Sequence, residues 1–390
     1  MTKSSRQRKN LSQNGDNPPN KATDKAFRQP ETFAKLFIFL ADGRILVGTD
    51  RRRSKMSFYY FTAETLEQKY LDRSPMLKIK RLLDWGEIER ILNSKKTHNS
   101  SKGGRPSYPS VPMFRAILLG QWHSLSDPEL EYNLWGRTDF MLFCHFPDEV
   151  KLPDHSTLNR FRNELIQNGL LDELMNEINR QLEQHQIKIK AAEVAIVDAT
   201  IIQTAGGIQK KSIEIKENGE VIDSPASKDE DAKWTIKNGH WHLGYKLHMR
   251  TNEEGFVEQV DVTPANAADV NHLESVLDDV PMNTVVYADK GYDSKYNREL
   301  LRERGLRDGI MRKSHRGCAL SREDIERNKV LSKIRYRVEQ SFAILHRKFH
   351  CKRASYFGLA KVKGQMQLKV MCLNLLKAAN KIRINVPIFA

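Results

Sequence analysis

LSKIRYRVEQSFAILHRKFH, residues 331–350, decides how the chain is read. Its apolar positions Ile334, Val338, Phe342, Leu345 and Phe349 step by four, four, three and four, the period of a helix with one buried stripe. Glu339 sits one residue off that stripe, at the rim of the buried face, and shares a side with Arg335, Phe342 and His346. Taken alone it reads as a solvated glutamate paired with Arg335, since carboxylates are mostly exposed. Two upstream aspartates change that reading: Asp198 in EVAIVDAT and Asp289 in TVVYADKGY, each at the end of an apolar, strand-like run. Either one by itself is more often a strand terminator or a helix cap. The three together, in the order strand, strand, helix, supply oxygen ligands for two hard cations. Two such ions about 4 Å apart activate an attacking oxygen and stabilise a leaving one in phosphoryl transfer.

Working outward, residues 193–198 read as a central strand, apolar on both faces. Residues 203–240 are a polar excursion, and its triplet Asp229-Glu230-Asp231 reads as a solvated loop. In HLGYKLHM, Tyr245, Leu247 and Met249 alternate with Lys246 and His248, which predicts one buried face and one face presenting two basic side chains. FVEQVDVT is the third strand, VNHLESVLDDV a crossover helix, NTVVYAD the fourth strand and LRDGIM the fifth. Residues 313–329 read as a basic linker, and LAKVKGQMQLKVMCLNLLKAANKI (359–382) as an amphipathic helix packed on the core. Upstream, 76–92 and 111–126 have helical patterns. Asp127-Pro128 predicts a helix start with aspartate as N-cap, and Pro153-Asp154 does much the same before LNRFRNELIQNGL.

Several stretches resemble one family: VDATIIQ (197–203), HLGYKLHM (242–249), VTPANAADVNHLESVL (262–277), VVYADKGYDS (285–294) and RYRVEQSFAILHRKF (335–349). LLGQWHSLSDPELEYNLWGRTDFMLF (118–143) and LPDHSTLNRFRNEL (152–165) add to them. The chain looks like a bacterial insertion-sequence DDE transposase of insertion-sequence family five, in the IS-four-like clan, over roughly Lys69 to Lys381. The resemblance implies an α/β fold: an RNase H-like catalytic core, a mixed five-stranded sheet flanked by helices, preceded by an all-helical N-terminal domain. Its expected divisions are a basic extension at 1–55 with a hairpin at 36–48, a helical DNA-binding domain at 56–187, the catalytic domain at 188–350, and the C-terminal helix in 351–390. It implies catalysis and metal binding by Asp198, Asp289 and Glu339, with two divalent cations, Mg²⁺ or Mn²⁺. DNA contacts are expected from Arg335, Lys246, His248, Lys348, Arg160 and Arg162. The expected partners are double-stranded DNA, at element ends and target, and a second copy in a homodimeric synaptic complex. The family signature has a tyrosine seven residues before the glutamate and a lysine seven after; here these are Ser332 and His346. A non-catalytic descendant would be expected to have lost an acidic ligand, and none is lost. A nuclease without strand transfer shares the same triad, and the helical region before it favours the transposase.

Composition agrees with this direction. Lys and Arg number 64 against 49 Asp and Glu, a formal net charge of +15 that favours a polyanionic partner. No apolar stretch approaches the ~20 residues that span a bilayer, so no membrane is expected and the protein is placed in the cytoplasm, nucleoid-associated when bound to DNA. Neither a GxGxxG nor a GxxxxGK[ST] motif occurs, so no nucleotide cofactor is indicated. Cys144, Cys318, Cys351 and Cys372 are widely spaced and read as reduced thiols. Residues 1–30 are polar and read as disordered, and 93–110, with Gly103, Gly104 and Arg105, as a loop.

Overall fold

The computed structural model describes residues 40–41, 44–45, 65–71, 73–95, 107–147, 150–188, 193–208, 213–215, 221–223, 227–315, 317 and 319–382. Two compact units divide the chain, residues 1–58 and 59–390. In the first, Leu40–Ala41 (β1) pairs antiparallel with Arg44–Ile45 (β2). The other expectations for residues 1–55, and those for Gly103, Gly104, Arg105 and Cys318, lie outside the described residues.

The second unit opens with helices: Pro75–Leu82 (α1), Trp85–Asn93 (α2), Ser110–His123 (α3), Asp127–Gly136 (α4), Thr138–Cys144 (α5), His155–Gln167 (α6) and Leu170–Gln184 (α7). Local chemistry sets their starts. The single helix expected over 76–92 is broken because Asp84 caps α2, accepting from the Gly86 amide at 2.9 Å. Ser126, not Asp127, caps α4: its hydroxyl accepts from the Glu129 amide while the Glu129 carboxylate accepts from the Ser126 amide. That leaves the Asp127 carboxylate free to pair elsewhere.

The sheet holds Val194–Gln203 (β3), Lys233–Lys237 (β6), His240–Thr251 (β7), Val257–Pro264 (β8), Val285–Ala288 (β9) and Arg307–Ile310 (β10); Ile213–Ile215 (β4) and Val221–Asp223 (β5) pair separately. Its order is β10-β9-β3-β7-β6, with β8 also on β7. The pairs β3/β9 and β9/β10 are parallel, and β7 runs antiparallel to β3, β6 and β8. The sheet therefore has six strands, not five. The sixth, β6, comes from the excursion read as solvated. That excursion is anchored by Asp229, which is buried and accepts from Thr204 Oγ1 and Tyr245 Oη, both at 2.6 Å, and from the Gly358 amide at 2.9 Å. The expected crossover helix is two single 3₁₀ turns, Asp269–His272 and Glu274–Val276.

Lys295–Glu303 (α8), Arg322–Arg347 (α9) and Leu359–Lys381 (α10) complete the unit. The expected linker to 329 ends early, since Ser321 caps α9 by accepting from the Asp324 amide. One hydrophobic core joins the early helices to the sheet: Phe114, Leu118 and Ile178 share it with Ile196, Met249, Val338 and Leu345. Helix α10 runs through it, packing on α1, α3, α7, α9 and β8 and burying residues around its circumference rather than along one stripe. Residues 187–188 thus mark a change of secondary structure but not a boundary between cores. The other sheet face forms a smaller core, with Ala195, Val197, Val286 and Ala288 against Leu273, Val276 and Leu301.

Candidate active site

The strand registers place the two aspartates. In the parallel pair β3/β9, Val197 lies opposite Ala288, so Asp198 and Asp289 follow one step later on neighbouring chains. Side chains alternate along a strand. Val197 and Ala288 point into the smaller core, and the two carboxylates therefore turn to the opposite face, the one that α9 covers.

Arg335 of α9 meets both. Its Nη2 donates to Asp198 Oδ2 at 2.9 Å, and its Nη1 lies 3.9 Å from Asp289 Oδ1. The arginine is buried, with its side chain 10 % exposed. Burial holds the Asp198 carboxyl above the usual carboxylate range; Arg335 and the Ala199 amide oppose that rise, and the charge of Asp289 adds to it. Eleven residues along the helix, His346 Nε2 lies 3.1 Å from Thr200 Oγ1, on the same face of β3 as Asp198. At ~100° per residue, His346 projects about 20° and Glu339 about 40° from the direction of Arg335. Glu339 therefore sits on the side of α9 that two flanking contacts turn towards β3. It is exposed and has no hydrogen-bond or ion-pair partner among the described residues.

The structure thus brings Asp198 and Asp289 onto one guanidinium and sets Glu339 one helical turn beyond it. Among the described residues, no group of three or more His, Cys, Asp or Glu side chains is drawn together closely enough to hold a metal ion. The donor set still suits a hard divalent cation: every candidate ligand is a carboxylate oxygen, and two acids side by side, one of them buried, are met by a single positive charge.

Of the expected DNA contacts, four are engaged within the fold. Arg335 is a partner of the aspartates. Arg162 is buried, holds Asp127 through both carboxylate oxygens at 2.6 and 2.8 Å, and stacks on Tyr356, so it joins α6 to α4 and the loop before α10. His248 is fully buried on the face away from Asp198, between Thr263 Oγ1 at 3.0 Å and Tyr292 Oη at 3.4 Å. The alternation in β7 is as expected, but the turns at 269–276 and Tyr292 cover its basic face. Lys246 on that face donates to the Ala267 carbonyl and to Asp269 at 2.9 Å. Arg160 and Lys348 are exposed. Ser332 is exposed and donates to the Lys329 carbonyl. Sequence reasoning passed over Thr200, whose only signal is its place two residues after Asp198, and Lys237, whose charge acts on both Asp198 and His346.

Burial pushes the pKa of His248 down from 6.5 to about 4; Asp269 and Asp261 act against that shift, His272 and Lys246 with it. The unfolded chain takes up this proton near pH 6.5, the folded one only near 4, so the stability of the neutral form is present above 6.5 and lost as pH falls towards 4. We expect a loss of about 3 kcal/mol across that window, at ~1.36 kcal/mol per pKa unit. Denaturant melts from pH 7 to 4 should show it, and His248→Gln should flatten the slope. An unchanged slope in that variant would assign the titration to another group.

Residues 190–375 match the family described as "Transposase DDE domain", and residues 64–164 match "Transposase domain (DUF772)". The chain is 54% identical over 224 residues to the transposase for insertion sequence element IS1106 of Neisseria meningitidis serogroup B, covering 57% of this chain and 78% of that protein. It also overlays on the cryo-EM structure of a piggyBac transposase synaptic complex with hairpin DNA, at TM-score 0.38 and 10% identity over 78% of this chain and 74% of that one, a likeness too distant to argue from. No helix among the described residues is long and apolar enough to cross a membrane.

Proposed function

The chain belongs to the insertion-sequence transposases that carry a DDE domain, and from that premise we propose that it binds the terminal inverted repeats of an insertion sequence and performs DNA cleavage and strand transfer. Within these enzymes we assign it to insertion-sequence family five. The sheet reads as an RNase H-like core of five strands, β3, β7, β8, β9 and β10, to which the β6 hairpin is added. The helical region 56–187 is the part we assign to DNA binding, with Arg160 as an exposed cation there and Lys348 beside the site. Double-stranded DNA in the bacterial cytoplasm is the substrate, and a homodimer the synaptic form.

The observation that carries the reading is the pair Asp198 and Asp289, side by side where the parallel pairing of β3 with β9 ends, under one helix. With Glu339 they are the ligands we assign to two divalent cations, Mg²⁺ or Mn²⁺, which when bound would neutralise charge on the attacking and leaving oxygens. Arg335 fixes the direction of the Asp198 carboxylate and screens it from Asp289. The bond between Thr200 and His346 holds the C-terminal half of α9 over β3, which keeps Glu339 on that side. His346, its pKa lowered by burial and by Lys352 and Lys237, is neutral at pH 7, so it positions the helix without adding charge.

The test is incubation of the whole protein with cloned element ends and Mg²⁺, followed by sequencing of the cut positions. Cuts at the element boundary with joined products support the proposal. Cuts scattered through the DNA would indicate a nuclease, and binding without cuts a DNA-binding descendant. Binding itself should depend steeply on salt, since each phosphate contact contributes about −0.9 to the slope of log affinity against log salt. We expect a slope of about −4 or steeper for several contacts, measured by fluorescence anisotropy; a flat response would remove the electrostatic argument from net charge.

A further inference from the structure

Helix α9 has no buried residue before Leu331. Its opening turns, from Arg322 to Val330, therefore lack the apolar burial that seats the rest of the helix. Polar groups hold them instead. Asn328 grips the main chain of Arg312 in both directions: its Oδ1 accepts from the Arg312 amide at 2.9 Å, and its Nδ2 donates to the Arg312 carbonyl at 3.0 Å. Arg327 donates to the carbonyls of Ile310 at 2.8 Å and Asp308 at 3.0 Å. Both grips close on β10 and the residues just after it. That end of β10 is itself tied to the turn that carries Asp289. Arg298 pairs with Asp308 and donates to Asp293 Oδ1 at 2.9 Å, while Asp293 Oδ2 accepts from the Lys313 amide at 2.7 Å. Asp293 lies four residues after Asp289.

This grip shares its bearing with Glu339. Asn328 and His346 are eighteen residues apart, five whole turns, so they project in one direction, and Glu339 lies about 20° from it. His346 holds the far end of the seam through Thr200, and Arg335 holds the middle through the two aspartates. Arg335 competes with any bound cation for the same carboxylates, so the middle contact weakens when the site is loaded. The two end contacts do not. Glu339 has no partner of its own among the described residues, so the place where α9 is held decides where its carboxylate stands. We propose that Asn328 and Arg327 are positioning residues for Glu339: they fix the rotation and height of α9 at its open end, and so bring that carboxylate to the cations held by Asp198 and Asp289. This rests on the reading of Glu339 as a cation ligand. A grip that served the fold alone would act without regard to Glu339.

The experiment uses the full chain and follows Mn²⁺ binding by the loss of free-ion signal in electron paramagnetic resonance, beside the Mg²⁺ dependence of cutting. Removing a group that orients a metal ligand commonly costs about 10–100-fold in metal affinity. Asn328→Leu and Arg327→Ala should therefore each weaken Mn²⁺ binding about tenfold, and raise the Mg²⁺ needed for half-maximal cutting by about the same factor. Arg327→Lys keeps the charge and one donor and should recover part of the affinity. Circular dichroism and binding to the ends should match wild type. In a Glu339→Gln chain the same substitutions should change Mn²⁺ binding no further, because the ligand they place is gone; a role in the fold alone would not show this dependence. The proposal is overturned if the variants bind Mn²⁺ as wild type does, or if they weaken it equally in the Glu339→Gln chain. Should Asn328→Leu not fold, Arg327→Ala and Arg327→Lys decide by the same criteria. If wild type itself takes up no Mn²⁺, the ligand set assigned above fails and this proposal with it; if wild type binds and the variants match it, this proposal alone fails.

Discussion

Asp198→Asn, Asp289→Asn and Glu339→Gln should each reduce cleavage of element ends by about a thousandfold or more, while affinity for the ends stays within about threefold. A neutral amide is a much weaker ligand for a hard cation than a carboxylate. Losing one ligand removes several kcal/mol of charge stabilisation in the reaction, and each 1.36 kcal/mol is about tenfold in rate. Single-turnover cutting assays at fixed Mg²⁺, with anisotropy for binding, separate the two effects. The glutamate variant is the most telling of the three. Asp198 and Asp289 already share a partner, whereas Glu339 rests on helical phase and on the contacts that flank it. Near-normal cutting by Glu339→Gln would move the third ligand elsewhere and leave the aspartate pair standing.

Replacing Arg335 by methionine should produce the second large effect, on stability. Methionine has a similar reach but no charge, so Asp198 would lie beside Asp289 without its ion-pair partner. Breaking a buried pair from one side costs about 3–5 kcal/mol. Asp198 retains 20% exposure and can take up a proton, so we expect the lower part of that range, about 3 kcal/mol, in urea melts without divalent ions. Millimolar Mg²⁺ should return much of the loss, because the cation supplies the missing charge. Asp198→Asn in the same chain should do likewise, with a coupling of about 2 kcal/mol in a double-mutant cycle. Equal melting midpoints for wild type and Arg335→Met would show that the pair contributes no net stability and that the arginine serves only orientation.

The pattern of residues conveyed some of this site and hid the rest for identifiable reasons. Asp198 and Asp289 were legible because each closes an apolar run with an acid, although only Asp289 follows the end of its strand; β3 continues beyond Asp198 to Gln203 on its pairing with β7. Their adjacency was not, since it depends on a parallel register between segments about ninety residues apart. The phase of α9 was legible from its apolar period, but the partner of Arg335 was not: a glutamate four residues away is the obvious candidate by local spacing, and the true partner is on β3. Arg162 looked like a surface cation because its acid, Asp127, belongs to another helix. The alternation Tyr245 to Met249 correctly separated two faces and said nothing about what would cover the second one. β6 was hidden because charged residues outnumber apolar ones around it, and its anchor is one buried aspartate in an acidic triplet that composition alone assigns to solvent.

Helix α10 carries a consequence for how the protein is made. Phe114 and Leu118 of α3 share the core in which Met371 and Leu375 of α10 lie, yet more than 250 residues separate them along the chain. At roughly 5–20 residues per second of synthesis, the early helices wait on the order of 13–50 s for the segment that buries them. During that interval their apolar faces are available to chaperones and to other nascent chains. A message cut short before codon 359 would yield a chain that has both aspartates and the glutamate but lacks the centre of its core. Such fragments should be cleared by proteolysis rather than accumulate as competitors for DNA ends, so the cell would hold either whole enzyme or none.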